Sequence, residues 1–230
     1  MSKVVGIMSF KGGVGKSVCA INLASGLQRL GKRVLVVDGN FLSPNLHLYL
    51  GLLNPGKTLK EIIREGISPQ NAIYTHKSGI HLLPCNFYKD VNFGKFRDII
   101  NGLRERYDFI IVDSGPSYSE EVIAVLMVSD ELLFVATPDY PTLAATVRAS
   151  KFAKFKDVKV RGIVVNRKRG RGFEVKKLEI ERTVGVRVIS EIKEDLKMMK
   201  AVKLFVPVVW EYKWSSSGRS FMKLAREINS

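Results

Sequence analysis

Lys3-Val-Val-Gly-Ile-Met-Ser-Phe-Lys-Gly-Gly-Val-Gly-Lys-Ser17 decides how the rest of the chain reads. Residues 4–8 form a short apolar run of strand type. Lys11-Gly-Gly-Val-Gly-Lys-Ser17 follows, and Val18-Cys-Ala-Ile-Asn-Leu-Ala-Ser-Gly-Leu27 reads as helix. Strand, glycine-rich turn and helix in that order are the setting of a phosphate cradle. Glycines let the backbone turn tightly and present successive N–H groups with no Cβ in the way. The helix N-terminus adds partial positive charge at the same spot. Lys16 can then reach β- and γ-phosphates, and the Ser17 hydroxyl can ligate Mg²⁺. The pattern G-x-x-x-x-G-K-[ST] is met at Gly15, Lys16 and Ser17, but Phe10 stands where the first glycine belongs. Glycine-rich turns also close ordinary strand–helix units; here the lysine, glycine and serine all fall where the chemistry needs them.

Working outward, the next two buried strands end in acids. Arg33-Val-Leu-Val-Val-Asp38 and Asp108-Phe-Ile-Ile-Val-Asp113 are apolar runs closed by a carboxylate. In open parallel sheets ligand groups sit at the carboxyl ends of strands, so both acids belong beside residues 11–17. Either acid could instead cap a helix N-terminus. Further strands are expected at 80–83, 131–136, 158–166 and 186–190. Helices are expected at 58–65, where Thr58 and Glu61 form a capping box, and at 91–105, 120–128, 140–155, 174–182, 194–202 and 217–228. Strands alternating with helices predict an α/β fold: a three-layer α/β/α sandwich around a mainly parallel twisted sheet. No linker or repeat interrupts it, so residues 1–230 read as one domain.

Composition sets the outer limits. The 230 residues are 46% apolar, with no run approaching the roughly 20 residues a membrane span needs. The chain opens on a strand rather than a signal peptide. Cys19 and Cys85 make neither a disulfide framework nor a metal pattern, and they read as buried thiols of a cytoplasmic protein. Lys and Arg number 37 against 22 Asp and Glu, a net charge of +15. Residues 148–182 hold thirteen of those cations and four acids, a net of +9. Such an excess suits a polyanion such as nucleic acid, or simply a solvated basic face.

The run Lys11–Ser17 resembles the deviant Walker A motif of the MinD/ParA family of P-loop ATPases, whose signature is the first lysine. The resemblance spans nearly the whole chain. Val34-Leu-Val-Val-Asp38 looks like the family's second acidic motif, and Ile110-Ile-Val-Asp113-Ser-Gly-Pro like its Walker B strand. Ala136-Thr-Pro-Asp-Tyr-Pro-Thr-Leu143 is similar to the switch-adjacent loop. Gly162-Ile-Val-Val-Asn166-Arg167 is similar to the strand that ends at the adenine. Lys193-Glu-Asp195 matches the family's Pro-Glu-Asp loosely, with lysine for proline.

The resemblance implies ATP/ADP and Mg²⁺ as ligands. Lys11, Gly12, Gly13, Val14, Gly15, Lys16, Ser17 and Val18 would surround the phosphates, and Asn166 and Arg167 the base. Ser17, Asp38 and Asp113 would hold the metal. Lys11, Lys16, Asp38 and Asn40 would serve catalysis. In the family the first lysine crosses a dimer interface to the other subunit's nucleotide, which implies an ADP monomer and an ATP-dependent homodimer. The family usually places a second acid two residues after Asp38, close to the attacking water; this chain has Asn40. An amide can orient water but cannot take its proton, so hydrolysis is expected to be slow, and Asn40→Asp to speed it.

Partners follow from the same likeness. Cargo positioning with an activating protein partner is implied. Non-specific DNA contact through the basic segment 167–177 is expected by analogy with ParA-like members. Membrane attachment is not expected, because Phe221, Leu224 and Ile228 are spaced to face the core and leave no amphipathic tail. Iron–sulfur carriers of the class need paired cysteines, and its tyrosine kinases a tyrosine cluster. Neither pattern is present. An ATP-binding regulator and an ATP-dependent metabolic enzyme remain the alternatives. His47, His76 and His81 have no ligand spacing.

Overall fold

The computed structural model describes residues 2–89, 91–116 and 120–230. Its strands are β1 (Lys3–Met8), β2 (Val34–Gly39), β3 (Tyr74–Thr75), β4 (His81–Leu83), β5 (Phe109–Ser114), β6 (Glu131–Ala136), β7 (Val160–Lys168) and β8 (Val188–Lys193). They form one sheet in the order β3-β4-β2-β5-β1-β6-β7-β8. All neighbours are parallel except β3 against β4.

Parallel strands are buried on both faces, which is why they read as unbroken apolar runs. Successive side chains still point to opposite sides. Val5, Ile7, Val34, Val36 and Ile111 face α1 (Lys16–Arg29) and α10 (Ser216–Asn229). Val4, Leu35, Val37, Ile110 and Val112 face the opposite layer. That layer is built from α3 (Leu59–Glu65), α4 (Phe93–Leu103) and α5 (Glu120–Val128). Met8, Leu132, Phe134 and Ile163 continue it under α6 (Tyr140–Phe155) and α7 (Lys177–Val184). The three-layer reading holds. Phe221, Leu224 and Ile228 of α10 are buried as their spacing predicts.

Boundaries moved where side chains already had other work. The helix expected from 174 begins at Lys177, because the Glu174 carboxylate accepts the N–H groups of Arg169, Gly170 and Arg171 and closes a loop. The helix expected from 194 is α8 (Leu196–Lys203); Asp195 caps it by accepting the Lys197 N–H at 2.9 Å. The strand expected at 186–190 starts two residues later and ends three later, as β8, paired with β7. The capping box formed as expected, with Glu61 accepting the Thr58 N–H at 2.8 Å. The short helices α2 (Leu46–Tyr49) and α9 (Val208–Glu211), the 3₁₀ turn Pro69–Ala72 and strand β3 complete the chain.

Candidate functional site

β1 lies between β5 and β6, near the middle of the sheet. Beyond its carboxyl end the chain turns through residues 9–15 and enters α1 at Lys16. Gly13 (φ 76°) and Gly15 (φ 94°) hold left-handed conformations that cost an L side chain about 1–2 kcal/mol. The loop is tied to β7, where Asn166 Nδ2 donates to the Val14 carbonyl at 2.8 Å. A Cβ on Gly15 would sit 2.5 Å from that same nitrogen. Gly15→Ala is therefore expected to break the tie as well as strain the backbone. The cost is on the order of 1–3 kcal/mol, read as a lower melting temperature and lost nucleotide binding by calorimetry.

Asp38 and Asp113 end β2 and β5 and stand opposite each other in register. Both are 0% exposed. Asp38 Oδ1 accepts the Asn40 N–H at 3.1 Å, and Oδ2 accepts those of Asn45 (2.9 Å) and Leu46 (3.0 Å). Asp38 thus also accepts N–H groups at the start of the single turn of α2, whose N-cap is Asn45. Asp113 Oδ2 takes the Ser17 hydroxyl at 2.5 Å, while Oδ1 is buried with no donor among the described residues. Burial, and then the charge of Asp113, push Asp38 up to about 8. Burial pushes Asp113 up to about 6, against the Ser17 hydrogen bond and the Lys16 charge. Lys16, 8% exposed, is lowered by the same burial.

Two buried carboxylates and one buried ammonium leave the floor of the site short of positive charge. Its donors are all oxygens, one of them unpaired, which fits a hard cation such as Mg²⁺. Among the described residues no group of three or more His, Cys, Asp or Glu could hold a metal alone. An ion here would need water and ligand oxygens to complete its shell, as Mg²⁺ prefers.

A cavity of about 830 Å³ opens beside the loop, lined among others by Gly15, Val18, Asn166, Arg167, Leu196 and Met199. Arg167 adopts φ 56°, an uncommon backbone state for a side-chain-bearing residue. A second cavity, about 410 Å³, has Lys11, Gly12 and Gly13 on one wall and Thr137, Asp139 and Phe173 on another. Across it, Lys11 Nζ meets Asp139 Oδ1 at 3.1 Å. Asp139 also caps α6 through the Thr142 N–H at 2.8 Å. Its burial would raise the carboxyl. The hydrogen bonds from Thr137, Thr142 and Lys11 prevail and hold it down at about 2.

The basic segment 167–177 carries less free charge than its sequence suggests. Lys168 pairs with Glu191, Arg169 with Glu194, and Lys177 with Glu181. Arg171 and Lys176 make no ion pair among the described residues. His47 lies in α2 beside Leu46, while His76 contacts Ser78 and the Phe205 carbonyl, and His81 the Tyr107 hydroxyl. Cys19 and Cys85 are buried free thiols, and burial pushes Cys19 up to about 12. Sequence patterns had not singled out Asn45, whose Oδ1 lies 3.1 Å from Ser17 Oγ, nor Asp139, nor Glu121. For Asp139 a signal existed: Asp-Tyr-Pro-Thr is a helix-opening string.

An amide-lined turn between a central strand and its helix, with acids ending the neighbouring strands, defines a P-loop nucleotide-binding protein. Residues 5–208 match the CobQ/CobB/MinD/ParA nucleotide binding domain, and the chain belongs to that family. It is 32% identical over 230 residues to an uncharacterized ATP-binding protein of Methanocaldococcus jannaschii, covering 98% of this chain and 87% of that one. The fold superposes on the septum site-determining protein MinD of Pyrococcus horikoshii, solved with Mg-ADP, with a TM-score of 0.93. Identity there is 25%, over 100% of this chain and 97% of that one. The cell division ATPase MinD of Pyrococcus furiosus gives 0.93 and 26%, over 100% and 99%. The MinD/ParA likeness read from the motifs is borne out.

Proposed function

We propose that the chain is an ATP-driven dimerisation switch of MinD/ParA type that positions or partitions a cargo. The observation that carries this reading is the Ser17–Asp113 contact of 2.5 Å beneath a loop bearing two lysines. In this reading the N–H groups of Gly13, Val14, Gly15 and Lys16 hold the β-phosphate, with Gly12 beside them. Lys16 spans the β- and γ-phosphates. Ser17 ligates Mg²⁺, Asp113 holds it through water, and Asp38 lies in its outer shell. Bound Mg²⁺ neutralises phosphate charge. Val18, Asn166 and Arg167 flank the base.

Lys11 is the residue that makes the switch conditional. Its partner within the chain, Asp139, is 40% exposed, and Lys11 itself 39%. An ion pair that open to water contributes about 0–1 kcal/mol. That is too little to hold Lys11 back from a phosphate group on a second subunit, where a desolvated, charge-assisted bond is worth more. Light scattering is expected to give a dimer with ATP·Mg²⁺ and a monomer with ADP. The same mass in both would sink the switch.

Basal turnover is slow in this reading, and an activating protein partner raises it. DNA is the polyanion considered for Arg171, Lys176 and their neighbours. ATPase rates measured with duplex DNA, with anionic liposomes and with neither separate the cargo classes: DNA stimulation favours partitioning, liposome stimulation a membrane role. A second reading, an ATP-binding regulator with negligible turnover, is favoured by one residue, Asn40.

A further inference from the structure

Both tryptophans of the chain lie in one short stretch, Trp210-Glu-Tyr-Lys-Trp214. The stretch is a fixed part of the fold. Val208 and Val209 of α9 are buried, and the Val209 N–H donates to Asn22 Oδ1 of α1 at 3.3 Å. The Tyr212 N–H donates to the Val208 carbonyl at 2.8 Å, and the Ser215 N–H to the Tyr212 carbonyl at 2.9 Å. Gly218, near the start of α10, lets the backbones press together. A Cβ there would lie 3.0 Å from the Lys213 carbonyl oxygen and closer still to that of Tyr212. Arg219 donates to the Trp214 carbonyl. Trp210 and Tyr212 are half-buried against the core under α1 and α10, while Trp214 is 75% exposed.

The three rings line one groove of about 480 Å³ together with Arg29, Lys197 and Lys213. None of these residues lines either cavity beside the phosphate loop. Lys197 Nζ stands 5.0 Å from the centre of the Tyr212 ring, and Lys213 Nζ 5.2 Å from that of Trp214. Lys77 Nζ lies 5.8 Å from that of Trp210. Among the described residues the groove wall sets three cations against one acid, Glu211, and none of the three cations makes an ion pair. An ammonium over an exposed ring is held weakly. It can yield the ring face to a flat ligand and turn to an anion beside it.

We propose that this groove binds single-stranded nucleic acid, with bases stacked on Trp214 and Tyr212 and phosphates held by Arg29, Lys197 and Lys213. The site goes beyond the reading of the chain as a switch and does not rest on it. A single strand supplies a flat ring and an anion at every unit, which is what an aromatic, cationic groove takes. A duplex keeps its bases stacked on one another and would use the cations but not the rings. An acidic peptide would likewise leave the rings idle, and a proline-rich one the cations. A bilayer surface takes an apolar face that enters it as a unit. Here Trp210 and Tyr212 are sunk against the core and only Trp214 stands out.

Because both tryptophans stand in the groove, their fluorescence reports on it directly. The protein, in chelator and without ATP, is titrated at low salt with oligothymidylate of ~12 nucleotides, within the usual site size. Parallel titrations use an abasic strand of the same length, the matching duplex, and vesicles of phosphatidylglycerol and phosphatidylcholine. Oligothymidylate is expected to quench the tryptophan emission. The abasic strand should bind at least ~5-fold more weakly, the loss of one stacked base, and leave the emission unchanged. Trp214→Ala should melt with the wild-type protein, since the ring is mostly in solvent, and bind oligothymidylate at least ~5-fold more weakly. Lys197→Gln combined with Lys213→Gln should flatten the slope of log affinity against log salt by about 1.4, the share of two phosphates on a single strand. Absence of quenching overturns the proposal, as does equal affinity for the abasic strand or wild-type affinity in Trp214→Ala. Tighter binding of the duplex overturns it too, because the cations would then act alone. A response to vesicles only would make the rings a membrane contact. ATP binding is read separately by calorimetry, and its failure would remove the switch while leaving this site standing.

Discussion

Lys16→Met is expected to bind ATP at least ~100-fold more weakly than the wild-type protein and to show no ATP-dependent dimer. The Lys16 side chain is 8% exposed and shares the floor of its site with two fully buried carboxylates, Asp38 and Asp113. A triphosphate entering that site needs a desolvated cation. Burial has already drawn Lys16 down from its ordinary range, so the free protein holds it poorly solvated and ready for an anion. Losing one buried, charge-assisted partner costs about 3–5 kcal/mol, and each 1.4 kcal/mol is a factor of ten in affinity. Methionine keeps the length and packing, so the melting temperature without nucleotide checks that the fold survives. Titration calorimetry with ATP·Mg²⁺ reads the loss; a decrease of less than tenfold would mean that the backbone amides alone carry the phosphates.

Asp113→Asn should move stability and binding in opposite directions. Asp38 and Asp113 are register neighbours on adjacent strands, and both are 0% exposed, so solvent screens their charges little. Burial raises Asp38 to about 8, with the Asp113 charge adding to it, and burial raises Asp113 to about 6. An acid whose folded value lies above its unfolded one is easier to ionise in the unfolded chain. Stability is then full below the unfolded value near 3.8 and falls as pH rises through 6 and toward 8. Asparagine keeps an acceptor for the Ser17 hydroxyl and removes one of the two charges. At pH 8, in chelator and without nucleotide, the variant should be more stable by on the order of 1–3 kcal/mol, or about 3–6 °C in melting temperature. The wild-type decline between pH 5 and 8 should flatten. The same change removes a carboxylate from the metal shell, so Mg²⁺ should no longer strengthen nucleotide binding. A variant less stable than wild type under these conditions would show that the pair is not a source of strain.

The two carboxylates were easy to find in the sequence because each closes an apolar run. A parallel strand buried on both faces has no reason to end in an acid unless something at its carboxyl end needs one. The glycine loop was legible for a similar reason: Gly13 and Gly15 do occupy backbone states that other residues avoid. The three-layer architecture followed from alternation alone. Short elements were less visible. Two-residue β3 and four-residue α9 exist because tertiary neighbours pair with or pack on them, and no periodicity can build up over so few positions.

Local chemistry was therefore written into the string of residues: a turn that presents amides, a lysine and a serine at its end, and acids at the exits of buried strands. The conformational needs of glycine and the desolvation of strands act over a few neighbouring residues, and so does the pattern they leave. Which charges meet is another matter. Lys11 reaches Asp139 across 128 positions, Glu121 reaches Leu42 across 79, and Arg169 finds Glu194 across 25. Those encounters depend on strand order and on where each loop lands over the sheet, so only the folded chain could reveal a carboxylate beside Asn40 and acids quenching part of the basic segment.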